Sequence, residues 1–399
     1  MGSRLSWSLA CAAVVTASAA CLQILGIDEV GYKSSDAGAD GTLVPVEAGP
    51  ADAPTCGDAE VACGSKCTDL QTDGQNCGRC GRECGGSACT SGACAPVLLT
   101  TLDPKSEAPH GLVVGADVVY VATYPTNGEF SRGRVLAVKK SGGQPGEIAR
   151  DEGMPSYLAL TSTRLYWTSW INGQLRSADL AGNTVTNVRT RGTVSGSPAP
   201  FGLAAEGTDV YVAFFARGWI AKMDGASNDA DAGPLWLTAA GELNPRMVAT
   251  DGAHVYWSNE SVVRGAPVTA GGPGADAGSP RDLVLGMSKA WGLVARGGYL
   301  YYADNASGDI GRIKNPTSTH EVEPLATNIK GVKMISVDDV AVYAGWGAQD
   351  RVVRVGLDAS HPVTTLATGQ LGPVAIGDDA KFVYWGNDAD GTVWKVAKP

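Results

Sequence analysis

Four histidines and ten cysteines carry most of the reactive chemistry in this 399-residue chain. No HExxH, GxSxG or Walker-type pattern occurs, so zinc-protease, serine-hydrolase and P-loop chemistry have no foothold. Cys77-x-x-Cys80 has the spacing of a zinc half-site. No second Cys-x-x-Cys and no histidine accompany it between residues 56 and 94, so disulfides are the expected state and no metal site is expected. Asp229-Ala230-Asp231-Ala232-Gly233 and Asn387-Asp388-Ala389-Asp390-Gly391 alternate acids as calcium loops do. Both lack the later bidentate glutamate, and are read as solvated turns. Gly272-Pro273-Gly274 lies in an Ala/Asp/Gly-rich insertion, the wrong context for a nucleotide loop. Asn259-Glu260-Ser261 and Asn305-Ala306-Ser307 fit the glycosylation sequon. No cofactor is expected.

Composition narrows the partners. With 41 acidic and 31 basic residues the net charge is −10, and no basic block is present. Nucleic acid is therefore excluded as a partner, since phosphate neutralisation needs clustered Lys and Arg. Hydrophobic residues make up 44% of the chain, too many for a disordered protein.

The first 20 residues read as a signal peptide: Arg4, then an apolar stretch from Leu5 to Ala20. Cys11 lies inside it. Cys21 follows Ser18-Ala19-Ala20 directly and is left over from the later cluster. This resembles a bacterial lipoprotein signal, which implies lipidation at Cys21 and an outer-membrane or cell-surface location. Cleavage by ordinary signal peptidase, leaving a soluble exported protein, is the alternative. Residues 33–55 are rich in Ala, Asp, Gly and Pro, and residues 21–55 are read as a lipidated, disordered acidic tether. No transmembrane helix is expected.

Residues 56–94 hold Cys56, Cys63, Cys67, Cys77, Cys80, Cys84, Cys89 and Cys94. So short a segment needs covalent staples, and export supplies an oxidising compartment. Four disulfides are expected, in a pairing the spacing leaves open. The stretch resembles small Cys-rich modules of bacterial surface proteins. It is expected to be a separate unit, so that removing residues 1–95 costs little stability.

From residue 97 onward the chain repeats. Tyr120, Tyr166, Tyr211, Tyr256, Tyr301, Tyr343 and Tyr384 each follow an apolar residue, at intervals of 46, 45, 45, 45, 42 and 41. Eleven residues before each stand Pro109, Pro155, Pro200, Pro245, Ala290, Val332 and Pro373. A period of 40–46 with short alternating apolar runs predicts an all-β fold, a β-propeller with four strands per blade. The seventh repeat supplies only three strands, and the orphan run Val97-Leu98-Leu99-Thr100-Thr101 supplies the fourth. The prediction is a seven-bladed β-propeller over residues 97–399 with three-plus-one closure, which removes exposed sheet edges; a monomer is expected.

Tyr166-Trp167-Thr168-Ser169, Tyr256-Trp257-Ser258-Asn259, Tyr301-Tyr302-Ala303-Asp304 and Tyr384-Trp385-Gly386-Asn387 resemble the YWTD blades of lipoprotein-receptor propellers. They are also similar to NHL-type and virginiamycin-lyase-like propellers. The YWTD acid stands only at Asp304; Ser169, Asn259 and Asn387 replace it. Propellers host binders and enzymes alike, so function must come from the site.

In this register His254, His320 and His361 share one face, while His110 opens an inner strand on the other. A three-His zinc centre, as in propeller lyases that cleave hydroxyglycine amides, is not assembled. The residues after the Pro register, His110, Ser156, Phe201, Arg246, Trp291, Lys333 and Val374, are expected to ring the central mouth. Tyr124, Trp170, Phe215, Glu260, Asn305, Gly347 and Asp388 are expected around them, with Trp346 adjacent. Candidate ligand-binding residues are therefore His110, Arg246, Lys333, Trp170, Trp291, Phe201 and Trp346. Exposed aromatics with a few converging charges suit an aromatic or anionic ligand. The expected role is non-enzymatic binding of a protein, peptide or glycan. The alternative is an exported lyase-like propeller enzyme with His110 as base.

Overall fold

The computed structural model describes residues 54–399 apart from 104–106, 182–183, 197, 228–233, 239–241 and 269–279. The signal stretch, Cys21 and the tether to residue 53 lie outside the described residues, as do the acidic tip at 229–233 and Gly272–Gly274. The architecture is all-β. No helix of the described residues is long and apolar enough to cross a membrane.

Seven four-stranded antiparallel sheets follow one another as blades. Blade 1 is built from Ala108–Val114, Val118–Tyr124, Gly133–Lys139 and Gly146–Glu152, counted from the axis outward. Blades 2 to 6 repeat the pattern from inner strands Pro155–Leu160, Pro200–Glu206, Val248–Thr250, Ala290–Arg296 and Ile335–Val337. Blade 7 joins Pro373–Asp378, Phe382–Asn387 and Thr392–Ala397 to Val97–Thr101 as its outer strand. That is the three-plus-one closure the sequence predicts. The closing register pairs Thr392 with Thr101, Val393 with Thr100, Trp394 with Leu98 and Lys395 with Val97.

The motif tyrosines and tryptophans explain the repeat. Tyr166, Tyr211, Tyr256, Tyr343 and Tyr384 and the adjoining Trp167, Trp257 and Trp385 are all buried. Each second strand is covered on both faces by neighbouring blades, so alternation gives way to a continuous apolar run. In three blades the phenol donates to an aspartate five residues earlier: Tyr256 to Asp251 at 2.7 Å, Tyr343 to Asp338 and Tyr384 to Asp379 at 2.8 Å. Each bond ties the turn between first and second strands to the blade core.

The eight cysteines form four disulfides: Cys56–Cys67, Cys63–Cys80, Cys77–Cys89 and Cys84–Cys94. Cys77 and Cys80 belong to different bridges, so neither offers a thiolate to zinc. Disulfides of this density mark an exported protein in an oxidising setting.

The expectation that this segment is separate from the propeller needs correction. Its core of Cys77, Cys84, Cys89 and Cys94 packs on Ala397 and Phe382 of blade 7. Gly85 takes φ +65°, and a Cβ there would fall 2.6 Å from the Phe382 ring. Arg82 donates from Nη2 to the Ala397 carbonyl at 3.1 Å. These contacts lie where the second strand begins and the third ends, the propeller face opposite to the inner-strand starts. Eight cysteines and eight glycines leave too little apolar surface for an independent core, so the segment borrows a wall from the blade.

Candidate functional site

The site is created by a backbone irregularity that recurs around the ring. In five blades the inner strand bulges within its first residues: between Pro109 and Gly111, Pro155 and Leu158, Pro200 and Leu203, Ala290 and Gly292, and Pro373 and Ala375. A bulge leaves a residue without a cross-strand partner and re-aims its side chain. His110, Phe201 and Trp291 occupy these bulged positions. In blades 1 and 3 the next residue is a glycine because the neighbouring blade's backbone arrives there. A Cβ on Gly111 would stand 2.4 Å from the Ser156 carbonyl, and one on Gly202 would stand 2.2 Å from that of Arg246. Gly202 instead donates its amide to the Arg246 carbonyl at 2.8 Å.

Around the first of these positions the rings form one aromatic cluster. His110 meets Tyr124 and Tyr157 edge-on at 5.2 Å between centroids. Phe201 contacts Tyr157 at 4.9 Å, Trp170 at 5.3 Å and Trp291 at 6.2 Å. Beside it lies an open cavity of about 90 Å³, walled by His110, Tyr124, Met154, Trp170 and Phe201.

His110 Nδ1 stands 3.1 Å from the Ser156 carbonyl. A carbonyl only accepts, so Nδ1 carries the proton and Nε2 keeps its lone pair. Burial among rings pushes the imidazole pKa down to about 4, offset only in part by that hydrogen bond. His110 is therefore neutral at physiological pH. Burial likewise raises the Tyr157 phenol well above its ordinary range.

The cationic half of the site gathers on Trp291. The Arg246 guanidinium lies 5.0 Å from both the Phe215 and Trp291 ring centroids, held between them. Lys289 and Lys333 place their ammonium groups 5.5 and 5.6 Å from the same indole. Arg246 Nη2 pairs with Glu260 at 3.2 Å, and Lys333 with Asp388 at 3.2 Å. Asp304 positions Lys289: its carboxylate accepts from the backbone amides of Ser288 at 2.6 Å and Lys289 at 3.1 Å. The other motif ends do comparable structural work. Asn259 caps Ser261 and Val262, Ser169 binds the Gly153 carbonyl, and Asn387 binds Gln370 and Thr392.

Six of the seven residues singled out from the sequence thus converge: His110, Trp170, Phe201, Arg246, Trp291 and Lys333. Phe201, however, is only 8% exposed and belongs to the inter-blade core, so it forms a wall rather than a free contact. Trp346 is not part of the cluster; it packs against the core formed by blades 5 and 6. Asp388, suggested by its alternation to be a loose tip, pairs with Lys333, and Asp390 accepts from the Thr392 amide and hydroxyl. Tyr157, Met154 and Lys289 were not singled out. The Pro-His-Gly-Leu, Pro-Phe-Gly-Leu and Ala-Trp-Gly-Leu runs carry a signal for the bulges: a large residue followed by glycine at the strand start. His254 and His361 stay on the other face, His361 bonded to Glu323 at 3.0 Å.

No protein-family profile and no curated protein sequence matches this chain. Solved structures with the same fold do. A catalytically inactive virginiamycin B lyase from Staphylococcus aureus with quinupristin superposes with TM-score 0.59 at 13% identity, covering 75% of this chain and 98% of that one. Kuenenia stuttgartiensis hydrazine synthase gives 0.58 at 16% identity, covering 75% and 98%. The WD40 propeller domain of Doa1 gives 0.54 at 10% identity, covering 76% and 97%. These likenesses establish the propeller and no more.

Proposed function

We propose that this chain is an exported, non-enzymatic binding protein that captures a protein, peptide or glycan ligand on the propeller mouth. The observation that carries the reading is the convergence of Trp170, Phe201, Phe215, Trp291, Arg246, Lys289 and Lys333 on one face of an acidic protein. Large flat apolar area beside orienting charge is what tight recognition uses. In the same reading Cys21 is acylated after removal of residues 1–20, and the protein works as a monomer held at the cell surface by its lipid. The Cys-rich segment packs on the face opposite the mouth.

The test is a glycan, peptide and small-molecule screen of the mature, disulfide-bonded chain, followed by single variants that melt normally. Arg246→Ala and Trp170→Ala are expected to weaken the hit at least ten-fold, and His254→Ala on the far face to leave it unchanged. The reverse pattern would refute the assignment of the face.

One observation favours a second reading. His110 is neutral, has a fixed tautomer and borders a cavity shared with Tyr124, so its Nε2 could accept a proton from a substrate carbon, as a lyase-like enzyme needs. Turnover of quinupristin, abolished in His110→Ala with folding intact, would establish it over the binding reading.

A further inference from the structure

The mouth has two unlike halves, and their junction defines a chemical class of ligand. The first half is charged. Arg246, Lys289 and Lys333 surround one indole at 5.0, 5.5 and 5.6 Å. Among the described residues two carboxylates pair with them, Glu260 with Arg246 and Asp388 with Lys333, and none pairs with Lys289. The Asp304 carboxylate also lies here but is taken up by the backbone amides of Ser288 and Lys289, so the Lys289 ammonium is the cation left without an ion pair among the described residues, on a chain whose net charge is −10. An ammonium without an ion-pair partner, beside two further cations, is a place for a ligand's negative charge. Arg246 is suited to receive it. Its guanidinium is held between Phe215 and Trp291, and its partner Glu260 is 49% exposed, bound only by Arg246 and by Asn244 Nδ2 at 3.1 Å, so a ligand carboxylate has to compete with those two bonds alone. A rigid fork of N–H donors matches the two oxygens of a carboxylate.

The second half is uncharged. The cavity of about 90 Å³ beside His110, Tyr124, Met154, Trp170 and Phe201 holds neither a charged side chain nor, with His110 neutral, a charged ring. Its size suits a branched aliphatic group or the leading edge of one six-membered ring. Phe201 touches both halves, Trp170 on the cavity side at 5.3 Å and Trp291 on the charged side at 6.2 Å. One ligand can therefore span them if its anion sits a few bonds from its apolar group.

Building on the binding reading above, we propose that the mouth recognises a monoanionic carboxylate carried next to a compact apolar side chain, the chemistry of a peptide's C-terminal Leu or Phe. The carboxylate replaces Glu260 on Arg246 and meets Lys289, and the side chain enters the cavity beside His110. No covalent step is involved.

The experiment titrates the mature, disulfide-bonded chain by calorimetry with N-acetyl-L-phenylalanine, with its neutral amide, and with acetate. The acid is expected to bind at least ten-fold tighter than the amide, and acetate not measurably. Raising the salt from low to high concentration should weaken the acid several-fold and leave the amide unmoved. Lys289→Gln, and Arg246→Lys provided its melting is unchanged, should each cost the acid about five-fold with the amide unchanged, whereas Trp170→Ala should weaken both. Equal affinity for acid and amide, or no binding of either at millimolar concentration, overturns the carboxylate assignment. If at the same time a glycan or internal peptide found by screening still depends on Trp170 and Arg246, the mouth remains a binding face and only its ligand class is wrong. If no ligand depends on any mouth residue, the binding reading fails as well.

Discussion

Leu99 and Leu98 are neighbours on the closing strand, and they offer a test of ring closure that a truncation cannot give. Leu99 is 3% exposed and packs with Leu112, Val119, Val121 and Val138 of blade 1 and Val393 of blade 7. Leu98, on the opposite side of the same strand, is 44% exposed. Truncating a buried leucine to alanine costs about 2–5 kcal/mol, from lost transfer energy and the cavity left behind. About 3 kcal/mol is expected for Leu99→Ala, since its neighbours belong to two blades and cannot collapse together. An exposed leucine changes stability by about 0.5 kcal/mol or less. With an unfolding entropy of about 2.1 cal/mol/K per residue over roughly 300 residues, 3 kcal/mol lowers Tm by about 5 °C. Scanning calorimetry of both variants in non-reducing buffer reads this directly. Leu99→Ala should melt about 5 °C below the parent, and Leu98→Ala within about 1 °C of it. Equal shifts would mean that Val97–Thr101 does not close the ring in solution.

The docked Cys-rich segment and His110 give two more. Removing residues 1–95 should lower Tm by several degrees by uncovering Phe382 and Ala397, and Phe382→Ala should destabilise the full chain but have little effect on the truncated one; additive losses in this cycle would show that the two do not interact. His110, with its folded pKa near 4 against about 6.5 when unfolded, binds fewer protons folded than unfolded in that window. Its contribution is therefore nil above about pH 6.5 and becomes a penalty on the order of 2–3 kcal/mol as pH falls to 4, so the stability difference between the parent and His110→Gln should shift in the variant's favour across that range; a pH-independent difference in denaturant melts would refute the buried neutral imidazole.

What was legible along the chain was whatever depends on period and local pattern. The tyrosine spacing gave blade number, and the orphan run at residues 97–101 gave the closing strand, because each blade must bury the same positions against its neighbours. The inner-strand register placed His110, Arg246 and Lys333 on one face and His254 on the other, because strands alternate direction regularly around a propeller. Pairing and depth were not legible. Which cysteine meets which depends on how the loops of residues 56–94 cross, and spacing says nothing of that. Phe201 and Trp291 occupy the same register position and both follow a bulge, yet one is walled into the blade interface and the other holds three cations. That difference comes from their neighbours: Tyr157 and Trp170 of blade 2 close over Phe201 of blade 3, while Asp304 of Trp291's own blade draws the backbone of Lys289 beside the indole and blade 4 supplies Arg246. The docking of the Cys-rich segment on Phe382 is of the same kind. Its residues are some 300 positions apart in sequence, and only the closing of the ring brings the last strand to the segment that precedes the first.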